Sequence, residues 1–203
     1  MGYSHMFFGV DLDRLKSIYG SGDEAFIAEV LQAQAGELES NDGFFAIEIE
    51  DGSWPNSETA LREIVAGSPG GYEQAEAMYG YVLKILCQHI GTSIGDDVAA
   101  IRDHPYESQL VASGPPLPIP YNSADFPEIG FLSLADIPNE IQRIDSAPKR
   151  AKRSLLLTIL SLLSRGMIGR QMDAEETVED MNAYRSTLTE AVNKGVSVVS
   201  FRH

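Results

Sequence analysis

Apolar side chains along this chain recur mostly at helical spacing, with short strand-forming runs near its two ends. Met6 to Val10 is aromatic and branched, and predicts a short buried strand. Asp11 stands as an N-cap before Leu12, Leu15 and Ile18, and Gly20 stops that helix. A second helix restarts at Ser21-Gly22-Asp23, places Phe26, Ile27, Val30 and Leu31 on the 3.6-residue period, and fades at the turn-like Asn41-Asp42-Gly43. From Phe44 to Glu50 the rhythm changes. Phe45, Ile47 and Ile49 alternate with Ala46, Glu48 and Glu50, which favours a half-exposed strand over a frayed helix. Asp51 to Asn56 reads as a loop, Ser57 as the cap of a short helix through Val65 closed at Gly67, and Ser68-Pro69-Gly70-Gly71 as another break.

Tyr72 to Ile90 predicts a long helix with Tyr72, Ala75, Tyr79, Val82, Leu86 and Ile90 on one side, Met78 and Ile85 flanking them, and Gly91 after its end. Asp96 to Ile101 reads as a short helical turn. Five prolines between Gly114 and Pro127 then forbid helix and fix an extended path. Behind them come a strand, Glu128 to Leu132, and a helix capped by Ser133 whose early turns must hold Pro138. The next helix, Pro148 to Ser164, is apolar around most of its circumference, apart from a stripe of Ser154, Thr158, Ser161 and Arg165. It suits a central core position or a core helix with a spare face for a second copy, which would make a homodimer. Asp173, with Glu176 placed for a capping box, opens the last helix. Val178, Met181, Tyr184, Leu188 and Val192 form its buried stripe, Gly195 ends it, and residues 196–201 are a terminal strand. The clearest strands lie at opposite ends, and each is too short to persist alone. The expected fold is therefore α+β, a helix-dominated single domain with a small sheet pairing the N-terminal and C-terminal strands.

Charge sharpens this picture. The 203 residues carry a net charge of −15, and residues 1–145 hold 24 acids against 6 bases. Residues 146–172 hold six bases and no acid. Such a field opposes nucleic acid and suits solubility or a basic protein partner. One cysteine, the absence of a signal-peptide design at the first residues and an apolar run of only Leu155 to Leu163 lead to the expectation of a cytoplasmic protein with no membrane span.

Candidate chemistry is sparse. Cys87 and His89 sit two residues apart, about 200° around a helix, so they cannot meet, and a buried thiol is the simpler reading. His104 reads as a loop residue, and no His/Cys/Asp/Glu spacing matches a metal site. No catalytic residue, metal or cofactor is expected. Ser68 to Gly71 lacks the lysine of a phosphate loop, and Glu73 and Glu76 would repel an anion. Lys149, Lys152 and Arg153, with Arg150 beside them, lack the stacking aromatics of a nucleic-acid surface. The aromatic-proline segment is the best interaction candidate, with Tyr121, Phe126 and Phe131 set in a rigid backbone; alternatively Phe126 and Phe131 fill the core while the prolines carry the chain around a helix.

Met6 to Asp13, Tyr79 to Gly91, Phe126 to Ser133 and the closing stretch Tyr184 to Phe201 together resemble uncharacterised bacterial YfbM-like proteins. That resemblance implies a strand-then-helix opening and a helix-then-strand close, and it carries over no activity and no catalytic residue. The expected function is a non-catalytic interaction module with an acidic surface. The alternative is a small-molecule binder or enzyme whose site lies between helix 72–90 and segment 114–131, where Tyr79, Tyr81, His89 and Asp125 would converge.

Overall fold

In the computed structural model, residues 4–95, 98–99, 113–123, 127–146 and 168–202 are described. In chain order the elements are β1 (Ser4–Val10), α1 (Leu12–Ile18), α2 (Glu24–Ala33), α3 (Ala35–Phe44), α4 (Ala46–Glu50), α5 (Ser57–Ala66) and α6 (Glu76–Ile90). Then follow β2 (Thr92–Ser93), β3 (Val98–Ala99), β4 (Glu128–Leu132), α7 (Ile137–Ser146), α8 (Ile168–Lys194) and β5 (Ser197–Arg202). The expected α+β architecture with paired terminal strands is what the chain adopts.

Among the described residues the sheet runs β2-β1-β5-β4, with β3 also pairing β1, and every pairing is antiparallel. β1 and β5 join along six residue pairs, from His5↔Arg202 to Val10↔Ser197. Because side chains alternate along a strand, this pairing sorts residues to two faces. Phe8, Val10, Val199, Phe201 and Ile129 belong to a core built with α1, α2, α5 and α6. Phe7, Val198 and Leu132 belong to a second core with α7 and α8, through Ile137, Ile144, Tyr184, Leu188 and Ala191. Each large side chain fully removed from water contributes roughly 1.5–3 kcal/mol, so both faces of the sheet are held by packing.

Local capping follows the sequence where the signals are strong. Asp11 and Asp23 accept backbone N–H groups from the first turns of α1 and α2, and Gly67 closes α5 in the left-handed conformation. Elsewhere tertiary contacts override local preference. Asn41-Asp42-Gly43 lies inside α3, because the Asn41 amide is buried and donates to Ser57 Oγ at 2.8 Å while Asp42 accepts the Ser57 N–H at 2.7 Å. Asn56 caps α5, and Ser57 is its first residue. Phe44 to Glu50 is not a strand: α3 ends at Phe44 and α4 follows, with Phe45 and Ile49 turned inward one helical turn apart.

The long helix begins at Glu76, after the chain passes Gln74 with a left-handed backbone. Ser133 opens a turn whose carbonyl accepts from Asp136 and Ile137, and α7 then starts with Pro138 in its first turn. α8 starts at Ile168, so Asp173 is interior, and its buried stripe ends at Ala191 while Val192 is exposed. Val98 and Ala99 form a short strand in place of a helical turn. The predicted helix 148–164 and its cations, His104, Asp125 and Phe126 lie outside the described residues.

A tight backbone junction lies where the end of α6 meets β1. A Cβ on Gly91 would stand 2.6 Å from the Gly9 carbonyl oxygen and 2.8 Å from that of Cys87, both backbone atoms that cannot swing aside. A Cβ on Gly36, in α3, meets nothing within 4 Å. Gly91→Ala should therefore cost roughly 1–3 kcal/mol, and Gly36→Ala should gain up to about 1 kcal/mol from reduced chain entropy. Urea unfolding of both variants checks the contrast.

Candidate functional site

The side chains able to do chemistry are mostly tied into the framework. Tyr79 is buried, donates its hydroxyl proton to the Glu63 carboxylate and accepts the Gly70 N–H at 3.1 Å. This clamps the loop after α5 against α6. Burial, reinforced by the Glu63 carboxylate, pushes the phenol up to about 12. Cys87 is fully buried, and that burial drives its thiol upward, away from the reactive thiolate.

On the α7/α8 face, register places His5, Arg202 and Glu128 in one transverse row across β1, β5 and β4. Arg202 donates to Glu128 at 2.9 Å, and all three side chains are buried. Between α7 and α8, buried Glu140 accepts from Arg143 at 3.0 Å and from the Tyr184 hydroxyl at 3.3 Å. A buried ion pair of this kind is costly to break once formed. The sequence carries one signal for the row, charged residues at inward positions of strong β-formers, but the register that unites them comes only from the fold.

The anticipated site residues separate. Tyr79 faces α5, and Tyr81 packs its ring 5.7 Å from Phe45 and 6.4 Å from Phe44. His89 lies against α2, with Nε2 3.3 Å from Glu29 and its ring 5.7 Å from Phe26. Tyr81 and His89 are also about 12 Å apart along the helix axis. Tyr121 and Phe131 do come together, at the outer edge of the sheet. The Tyr121 hydroxyl accepts the Ile129 N–H at 3.2 Å, and the Ser113 hydroxyl accepts the Phe131 N–H at 2.6 Å and donates to its carbonyl at 2.9 Å. Leu117 and Ile119 are buried in the first core. The proline segment thus covers the free edge of β4 with side-chain hydroxyls, where its prolines have no N–H to offer.

Among the described residues, a corner between α3, α4 and α6 is open to solvent. Phe44, Phe45, Trp54 and Tyr81 form an aromatic cluster, with Phe45 4.8 Å from Phe44 and 5.0 Å from Trp54. Phe45 is buried, whereas Phe44 is 75% and Ile47 77% exposed. Beside them a depression of about 250 Å³ is lined by Glu37, Ser40, Asn41 and Phe44 of α3 and by Tyr81 and Ile85 of α6. None of its lining residues comes from the proline segment. Lys84 also borders it, 5.9 Å from the Tyr81 ring centroid.

The molecule is thus an α+β protein whose terminal strands pair, with an aromatic corner open to solvent. The chain belongs to the family described as Domain of unknown function (DUF7691), whose model matches residues 1–203. Comparison with curated proteins and with solved structures finds no match. Among the described residues no helix is long and apolar enough to cross a membrane, and no group of three or more His, Cys, Asp or Glu is placed to hold a metal ion.

The Tyr79 clamp has a pH signature. Because the folded state holds this phenol's proton above its ordinary value of 10, the clamp's contribution is complete below pH 10 and is lost as pH rises toward about 12. Tyr79→Phe should cost about 1–2 kcal/mol at pH 8. The difference between the two proteins should shrink between pH 10 and 12 when unfolding is followed across that range.

Proposed function

We propose that this protein is a non-catalytic interaction module that recruits a basic protein partner through the acidic surface formed by α2 to α5. One observation carries the reading. Residues 17–61 hold ten carboxylates and no lysine or arginine; Arg62 of α5 pairs with Glu24 and Glu58, while Glu37, Glu39, Glu50 and Asp51 are exposed on consecutive elements. Asp51 is held below the usual carboxylate range by the Ser53 hydroxyl and N–H, so it keeps its charge. A field of one sign concentrated on one side of a molecule accelerates encounter with an opposite charge and repels nucleic acid. The tying of Tyr79, Glu128, Glu140 and Cys87 into the framework also favours binding over chemistry. A bacterial, cytoplasmic setting and kinship with YfbM-like proteins belong to the same reading.

The test compares wild type with a variant neutralised at Glu37→Gln, Glu39→Gln, Glu50→Gln and Asp51→Asn, each immobilised and exposed to native lysate. The expected result is a discrete basic protein retained by wild type, released at intermediate salt and absent from the variant. Retention indifferent to molar salt, or equal on the two proteins, overturns the proposal.

A further inference from the structure

We infer that the corner of α3 and α4 is the docking point within this acidic surface, and that its occupant is a basic amphipathic helix of another protein. This rests on the acidic-surface reading and narrows it to one place and one kind of ligand. Four large apolar side chains are exposed among the described residues. Leu134 and Val192 are only 38% and 40% exposed, whereas Phe44 and Ile47, three residues apart, are about three-quarters exposed. Phe44 rests edge-on against buried Phe45, which packs in turn on Trp54 and Tyr81. A partner therefore meets a preorganised aromatic platform and loses little side-chain entropy there. The adjacent depression lies between two helices, a shape that accepts bulky side chains projecting from a third helix at i, i+3 and i+4.

Charge decides the occupant. Glu37 and one cation, Lys84, line the depression, but Glu48 is beside Ile47 in sequence, and Glu39, Glu50 and Asp51 extend the acidic sign along α3 and α4, so carboxylates outnumber the lysine at this corner. An anionic membrane or a nucleic acid would be repelled by that rim. Two copies meeting through the same patch would set one acidic rim against the other. A helix with lysines or arginines flanking an apolar stripe satisfies the carboxylates and covers Phe44 and Ile47 together.

The experiment titrates three labelled synthetic peptides of about 16 residues by fluorescence anisotropy. One is a lysine helix with leucines at i, i+3, i+4 and i+7, one a scramble of the same composition, and one the same pattern with glutamate for lysine. The proteins are wild type, Phe44→Ser, Ile47→Ser, Val192→Ser as a control, and the four-carboxylate variant described above. Because Phe44 and Ile47 are exposed, their replacement leaves the fold intact, which circular dichroism verifies. The patterned lysine peptide should bind wild type at least about tenfold tighter than the scramble, and Phe44→Ser and Ile47→Ser should each weaken it about tenfold. Val192→Ser should change nothing, and the glutamate peptide should not bind.

Equal binding of patterned and scrambled peptides, or insensitivity to both serine variants, overturns the docking point. If both peptides are nevertheless lost in the four-carboxylate variant, the acidic-surface reading stands without it. Binding that ignores the carboxylates, or no binding at millimolar peptide, overturns this inference, and the lysate comparison then decides the broader reading by itself. Sedimentation showing a wild-type dimer that Ile47→Ser dissociates identifies a second copy as the occupant and overturns the inference as well.

Discussion

Everything in this molecule depends on the antiparallel pairing of β1 with β5, which joins the two ends of the chain along six residue pairs. Among the described residues β1 otherwise meets only the two-residue β2 and β3, so its place in the sheet rests on β5, which in turn pairs β4 along five residues. Closing so long a loop costs chain entropy that rises only slowly with length, and the return is large. Once the register is set, Phe8, Val10, Val199 and Phe201 are committed to one core and Phe7 and Val198 to the other. A slip by one residue would exchange the two sets and send Arg202 into the α6 side. The Arg202–Glu128 pair acts in the same sense on the neighbouring β4–β5 register, since only the native alignment of those two strands places the arginine beside its carboxylate.

The sheet has a vulnerable side, the outer edge of β4. Open strand edges invite pairing with other chains, and this one is covered by a segment that cannot act as a strand. The prolines of 114–120 lack the N–H groups a sheet neighbour would supply, so Ser113 and Tyr121 serve the edge from their hydroxyls. The segment whose composition most suggested a binding element is thus occupied, over its described part, in protecting the fold, with Leu117 and Ile119 anchoring it in the core.

What could be read from the sequence was what depends on local physics. Asp11 and Asp23 as caps, Gly67 as a left-handed stop, the apolar face of α6 and the branched β5 all follow from side-chain chemistry within a few residues. The failures occurred where a distant partner changes the local answer. Asn41 and Asp42 are turn formers in isolation, yet here they bind Ser57 at the start of α5, and the helix runs through them. The anticipated convergence of Tyr79, Tyr81 and His89 required one helix to present three directions to one ligand, and each residue found a separate neighbour.

The misread segment 44–50 is also the most instructive. Its apolar residues alternate in twos, a rhythm that suits a strand and misfits a helix, where positions two apart lie about 200° around the axis. Folded as α3 and α4, the segment can turn Phe45 and Ile49 inward only by turning Ile47 out, and Phe44, one residue from Phe45, is displaced from the core for the same reason. The exposed pair is thus a geometric remainder, with one apolar residue too many for each buried position. Little of the fold's stability rests on a side chain that is three-quarters solvated, so nothing in the packing requires Phe44 or Ile47 to be apolar. A serine at either position would spare the surface an apolar patch. On the proposed reading, their apolar character is put to use when a partner covers them, and the carboxylates around them select the charge of that partner.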